Sequence, residues 1–185
     1  MLFDTLRHPR RLRSAGWLLR TYQISGLQKL ARKTGVLAAF GLERAEAQLP
    51  ELQKTKAPHG LHAATGTARG TVGLFLGCVA QLSDAATLGA AIFILNRLGY
   101  SVDVPRSQTC CGALHQHNGD TGTARALALE NLRAFNIPGL QAIVHAASGC
   151  GATLAEQEPS LPAPLLDISA FLSQAEGWEK IQLAP

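Results

Sequence analysis

Long apolar runs, a secretory leader and the common catalytic signatures are all missing from this sequence. Apolar stretches such as 35–42 and 90–95 are eight and six residues long, far short of the roughly 20 that cross a bilayer. Arginines stand near the N-terminus, where a leader would need its apolar core, so the chain reads as soluble and cytoplasmic. No Gly-x-Ser-x-Gly, phosphate loop or Ser/His/Asp pattern of defensible spacing occurs, which gives no support to a hydrolase or a kinase. Cysteine is scarce, with four in 185 residues. In a reducing compartment four thiols do not make a disulfide framework, so metal binding or redox chemistry gains ground, with buried inert cysteines as the alternative.

The charge that is present is unevenly spread. Residues 1–60 hold eleven Lys/Arg against four Asp/Glu, net +7, and residues 61–185 hold six against nine, net −3. In the first part Arg7, Arg10, Arg11, Arg13 and Arg20 alternate with Leu6, Leu12, Trp17, Leu18 and Leu19, followed by Leu27, Leu30, Val36, Leu37 and Phe40. This spacing predicts two or three short basic helices broken near Pro9, Gly26 and Gly35. Such helices suit an anionic membrane, nucleic acid or an acidic protein surface, or are a solvated face packing on another domain. Residues 50–70, with Pro50, Pro58, Gly60, Gly66 and Gly70, read as a linker. The expected organisation is a basic helical extension and linker over 1–70 and an α/β domain over 71–185.

The pattern changes at Thr71. Residues 71–78 form a short apolar run ending in Gly77 and Cys78, a buried strand. Ser83 and Asp84 can cap a helix whose inner face is Leu88, Ala91, Ile92, Leu95 and Leu98, with Gly99 as its stop. A second strand is expected over 100–104 and a third over 140–146. Between them Asp120 caps a helix with the stripe Ala124, Leu127, Ala128, Leu132 and Phe135. Weaker helices are expected from Ala152 to Pro159 and over 167–175. Strands and helices alternating at these lengths predict a Rossmann-like βαβαβ parallel sheet.

Each cysteine falls after a strand and before a helix: Cys78 after the first, Cys110 and Cys111 after the second, Cys150 after the third. In a parallel sheet those loops share the ligand-binding edge, and helix N-termini there favour thiolates. Four thiols on one edge suit a soft metal or an iron-sulfur cluster. The competing readings are small buried hydrophobes or a vicinal disulfide. His115 and His117 follow the loop closely enough to support or replace a ligand, although solvated loop histidines are commoner, and His145 inside a strand reads as a satisfied core histidine. His59 and His62 carry no specific signal. Gly149-x-Gly151 is half of a dinucleotide loop, but Leu154 stands where Gly-x-Gly-x-x-Gly needs its last glycine, so the glycines read as backbone room around Cys150.

The spacing Cys-x31-Cys-Cys-Gly-x37-Cys, with Gly77-Cys78, Cys110-Cys111-Gly112-Ala113 and Ala147-Ser148-Gly149-Cys150-Gly151-Ala152, resembles the cysteine-rich (CCG) domain family. That family includes iron-sulfur subunits of glycolate oxidase, whose first cysteine-rich repeat is matched best, the B subunit of heterodisulfide reductase and lactate-utilisation proteins. The resemblance implies an iron-sulfur cluster, [4Fe–4S] in type, on Cys78, Cys110, Cys111 and Cys150. It further implies an electron-transfer subunit that serves a flavoprotein oxidising glycolate or another 2-hydroxy acid and is not catalytic alone. A peripheral membrane contact through the basic N-terminus fits the same reading, and a nucleic-acid partner is not expected. The alternative function is a cluster-free docking or assembly module, and a nucleotide-binding half-domain is a third. Family members carry a ferredoxin-like segment and a second cysteine-rich repeat that this sequence does not contain, so a fragment or split gene product is expected. Thr153 occupies the position of a terminal Cys-x-x-Cys cysteine, which argues for four thiolates rather than five.

Overall fold

The computed structural model describes residues 9–52, 57–178 and 181; Leu6 and Arg7 lie outside them. The basic segment forms α1 (Pro9–Ile24), α2 (Leu27–Thr34), α3 (Val36–Ala39) and α4 (Glu43–Ala47). The breaks fall at Gly26 and Gly35, whose φ of 85° and 72° are left-handed values that residues with a Cβ avoid. Glu46 joins the pieces: its carboxylate accepts from Gln28 at 2.7 Å and Arg32 at 2.9 Å on α2 and from the Tyr22 hydroxyl of α1 at 3.4 Å.

The remainder is β1 (Gly60–His62), β2 (Gly70–Phe75), α5 (Ala80–Ser83), α6 (Ala85–Arg97), β3 (Tyr100–Val104), α7 (Ala113–His117), α8 (Thr121–Ala134), β4 (Leu140–His145), α9 (Ser148–Glu156), β5 (Leu165–Asp167) and α10 (Ile168–Gln174). The sheet order is β1-β3-β2-β4-β5. The predicted βαβαβ unit is its parallel centre, β3, β2 and β4, and β5 extends it in parallel. Two strands differ from expectation. The stretch read as a linker supplies β1, which pairs antiparallel with β3 and satisfies that strand's outer backbone groups. Residues 165–167, expected to be loop and helix start, pair with β4 instead.

Alternation along β2 and β4 sorts the core into two layers. Val72, Leu74, Leu76, Ala142 and Val144 meet Leu88, Ile92 and Leu95 of α6 on one face, with Phe171 of α10 packed against them. Phe75 and Ile143 face Leu127 of α8, Phe135 and Leu154 of α9 on the other, together with Cys78, Cys110, Cys111 and Leu12 of α1. Gly73 admits the Phe135 ring, which a Cβ there would meet at 2.9 Å. The α6 stripe is buried as expected, whereas on α8 the fully buried position is Asn131 rather than Leu132.

From β2 the chain crosses outward to β3, then returns past β2 to β4 and goes outward again to β5. The two directions part between β2 and β4, the switch point at whose carboxyl ends open α/β sheets bind ligands. Among the described residues no helix is long and apolar enough to cross a membrane.

Candidate functional site

All four cysteines converge on that switch point. Cys78 follows β2 and Cys150 lies in the first turn of α9, after β4; a Cβ on Gly77 would stand 3.5 Å from Cys150 Sγ. Gly149-Cys150-Gly151, expected as a turn ahead of a helix, is therefore helical already, with the Gly151 N–H bonded to Ala147 O at 3.0 Å. Cys110 and Cys111 precede α7, which opens at Gly112 in the left-handed region, φ 85°. Cys110 Sγ is 3.5 Å from Cys78 Sγ, and the Gly112 N–H donates to Cys110 Sγ at 3.5 Å. All four thiols are free; three are buried and Cys150 is partly accessible. The vicinal disulfide alternative is therefore not what the structure holds.

The four sulfurs shift one another through hydrogen bonds and burial. Hydrogen bonds with Cys111 and Cys78 hold Cys110 well below the ordinary thiol range, with burial opposing them and Gly112 N–H and His115 assisting. Cys150 is lowered by its bond from Cys111. The bond to Cys110 and then burial push Cys78 up, and bonds to Cys110 and Cys150 do the same to Cys111. A thiophilic cation, which binds thiolates, would displace the thiol protons that remain.

The donor set therefore suits a soft metal centre: four sulfurs and, among the described residues, no carboxylate hydrogen-bonded to them. Among the described residues no three His, Cys, Asp or Glu side chains already stand as a cage for one metal ion. The fit lies in donor chemistry and placement.

Three side-chain amides that sequence reasoning missed hold the loop. Gln108 Oε1 accepts from Leu76 N at 2.8 Å while its Nε2 donates to Leu74 O at 3.1 Å, joining the Cys110 loop to the end of β2. Asn131 Oδ1 accepts from Thr109 N at 2.8 Å and its Nδ2 donates to Cys110 O at 3.0 Å. Gln157 Nε2 donates to Cys111 O. A signal existed for Asn131, a polar residue on the apolar row of Ala124, Leu127, Ala128 and Phe135. Gln108 and Gln157 have no comparable signature.

His115 and His145 differ from expectation. His115 is not a solvated loop residue but is buried on α7, with Nδ1 3.0 Å from Asp120 Oδ2; Asp120 caps α8 by accepting from Thr123 N, as predicted. His117 is exposed. His145 is buried but not satisfied: Nδ1 lacks a hydrogen bond and lies 4.0 Å from Asp167 Oδ2. Its ring fills the space in front of Gly151, where a Cβ would come within 2.0 Å of Cε1, whereas Gly149 faces open space. His145, not Cys150, accounts for that glycine, and Thr153 bonds its own helix, Oγ1 to Gly149 O at 3.0 Å.

Residues 72–155 match the family described as "Cysteine-rich domain", and residues 1–49 match "Glycolate oxidase iron-sulfur subunit, linker region". The chain is 37% identical over 157 residues to the "Probable glycolate oxidase iron-sulfur subunit" of Bacillus subtilis, covering 82% of this chain and 35% of that protein. It is 34% identical over 116 residues to a subunit of the fumarate reductase (CoM/CoB) of Methanothermobacter marburgensis, 62% of this chain and 23% of that one. It is 33% identical over 85 residues to "Lactate utilization protein A" of Geobacillus kaustophilus, 46% and 35% respectively. The chain thus spans about a third or less of the length of these relatives. No solved structure matches it.

Proposed function

We propose, on the premise that this chain belongs through residues 72–155 to the cysteine-rich domain family, that it is an iron-sulfur electron carrier of a 2-hydroxy-acid oxidase-type system. The observation that carries the reading is the convergence of Cys78, Cys110, Cys111 and Cys150 at the switch point, with Cys110 and Cys78 in sulfur contact at 3.5 Å. Four thiolates are the ligand count of a [4Fe–4S] cluster. Cys78, Cys110, Cys111 and Cys150 would hold it, and when bound it supplies one-electron transfer. The residues around them bury three of the four sulfurs, donate Gly112 N–H to Cys110 and leave Cys150 nearest the surface. That side is where electrons would enter or leave.

Oxidising a 2-hydroxy acid to an oxo acid releases two electrons and two protons, and an organic acceptor, normally a flavin, must take the pair before single electrons move on. The described fold offers no complete dinucleotide loop, so the substrate chemistry falls to a flavoprotein partner. The basic helices α1 and α2, with Trp17 and Ile24 exposed among Arg and Lys, suit docking on an acidic surface of that partner or on an anionic membrane face in the cytoplasm.

The test is dye-coupled glycolate and lactate oxidation. The cluster-loaded chain alone should give no turnover; with a flavoprotein glycolate dehydrogenase added, its cluster should be reduced by substrate. Turnover by the chain alone, abolished in Cys110→Ser, would put the chemistry in this subunit and overturn the reading.

A further inference from the structure

We infer that Gln157 is a positioning residue that sets the hydrogen bond on the Cys110 sulfur, acting through the peptide between Cys111 and Gly112. The inference rests on the reading of the four cysteines as metal ligands. A trans peptide is planar, so its C=O and N–H point in opposite directions. In this peptide the oxygen of Cys111 accepts from Gln157 Nε2, and the N–H of Gly112 reaches Cys110 Sγ at 3.5 Å. Holding one end aims the other. Only Nε2 of the glutamine can face a carbonyl, which fixes the orientation of its amide.

The packing at Gly112 agrees independently. A Cβ there would meet Gln157 Nε2 at 3.2 Å and Ala124 Cα at 3.3 Å, so the glutamine closes directly over the peptide. The preceding peptide is held in the same way, since Asn131 Nδ2 takes the Cys110 oxygen at 3.0 Å. With successive carbonyls bound to amides from two different segments, the loop cannot swing the Gly112 N–H off the sulfur. Gln157 directly follows α9, the helix of Cys150, and so ties the fourth cysteine's element to the Cys-Cys-Gly loop.

An N–H donated to a metal-bound thiolate stabilises the more negative, reduced state and raises the reduction potential. Gln157→Met keeps the length of the side chain and deletes the donor. In the anaerobically reconstituted chain we expect iron and sulfide contents equal to wild type. At a fixed potential the ratio of reduced to oxidised site should fall about tenfold, a midpoint about 59 mV lower for one electron. An unchanged midpoint overturns the inference, as does a variant that only melts earlier. Cobalt(II) loading gives a second reading: the sulfur-to-cobalt charge-transfer band of Gln157→Met should lie at lower energy than that of wild type, and coincident bands overturn the inference. That comparison decides the matter if the variant takes up no iron. A wild-type chain that binds cobalt(II) but no iron and sulfide defeats the cluster reading and leaves the cobalt test of Gln157 standing. One that binds neither overturns both.

Discussion

Gly151 and Asn131 show how tightly single residues define the cysteine edge. A methyl group on Gly151 would sit inside the His145 ring, and in a packed interior such overfilling costs about 1–3 kcal/mol. Gly151→Ala should therefore lower the stability measured by urea unfolding by that amount, while Gly149→Ala, with open space before it, should stay within about 0.5 kcal/mol of wild type. Equal losses in the two variants would show that helix geometry, not the histidine, demands the glycine. Asn131→Leu matches the apolar row of α8 but strands Thr109 N–H and Cys110 C=O in a buried site. Unpaired groups of this kind cost about 1–3 kcal/mol each, so the variant should be less stable despite its better hydrophobic pattern. A neutral or stabilising result would mean that the loop finds other partners. The same residue marks a limit of sequence reading: Asn131 stands on the apolar row of its helix, but nothing local reveals that a loop twenty residues away needs its amide.

At the scale of elements, the basic extension is part of the site. Leu12 of α1 is buried with Cys78, Cys110 and Cys111, and a Cβ on Gly16 would come within 3.1 Å of Leu82 in α5. Leu12→Ala removes about 2 kcal/mol or more of that packing. Mass spectrometry should then find Cys78 and Cys110 of the metal-free chain alkylated by iodoacetamide several-fold faster than in wild type, and equal rates would mean that α1 does not cover them. Within the extension, Glu46 is held below the ordinary glutamate value of 4.5, first by Arg32 and next by Gln28, with burial opposing. A depressed carboxylate adds stability that is complete above 4.5 and is lost as pH falls through the lower folded value. Circular dichroism between pH 5 and pH 3 should show helix loss in the wild type that Glu46→Gln, with nothing to titrate there, does not share; identical curves would place the acid sensitivity elsewhere. The glycine breaks of these helices were legible because Gly26 and Gly35 have no Cβ to resist a left-handed turn. The role of Leu12 was not, since its partners lie more than sixty residues away.

For the whole molecule, the central strands, α6, the capped start of α8 and the shared edge of the four cysteines were all legible. Each rests on a local pattern long enough to read: five or six apolar residues, a 3.6-residue stripe, a capping aspartate. The edge strands β1 and β5 are three residues each and sit among glycines and prolines, so their pairing is decided by the free edges of β3 and β4 rather than by their own sequence. The start of α9 was displaced for a related reason, because two glycines around Cys150 read as a turn until the neighbouring His145 ring explains one of them. Placement of thiols thus follows from topology, while the support of their loop depends on amides from distant segments.

The central claim is that these four sulfurs bind a cluster as one set. Iron and acid-labile sulfide, counted per chain after anaerobic reconstitution of wild type, Cys110→Ser and Cys150→Ser, test it most directly. The account predicts about four of each in wild type, with both falling together in either variant. Stoichiometric zinc without sulfide in protein from iron-replete cells, or serine variants that load like wild type, would contradict it.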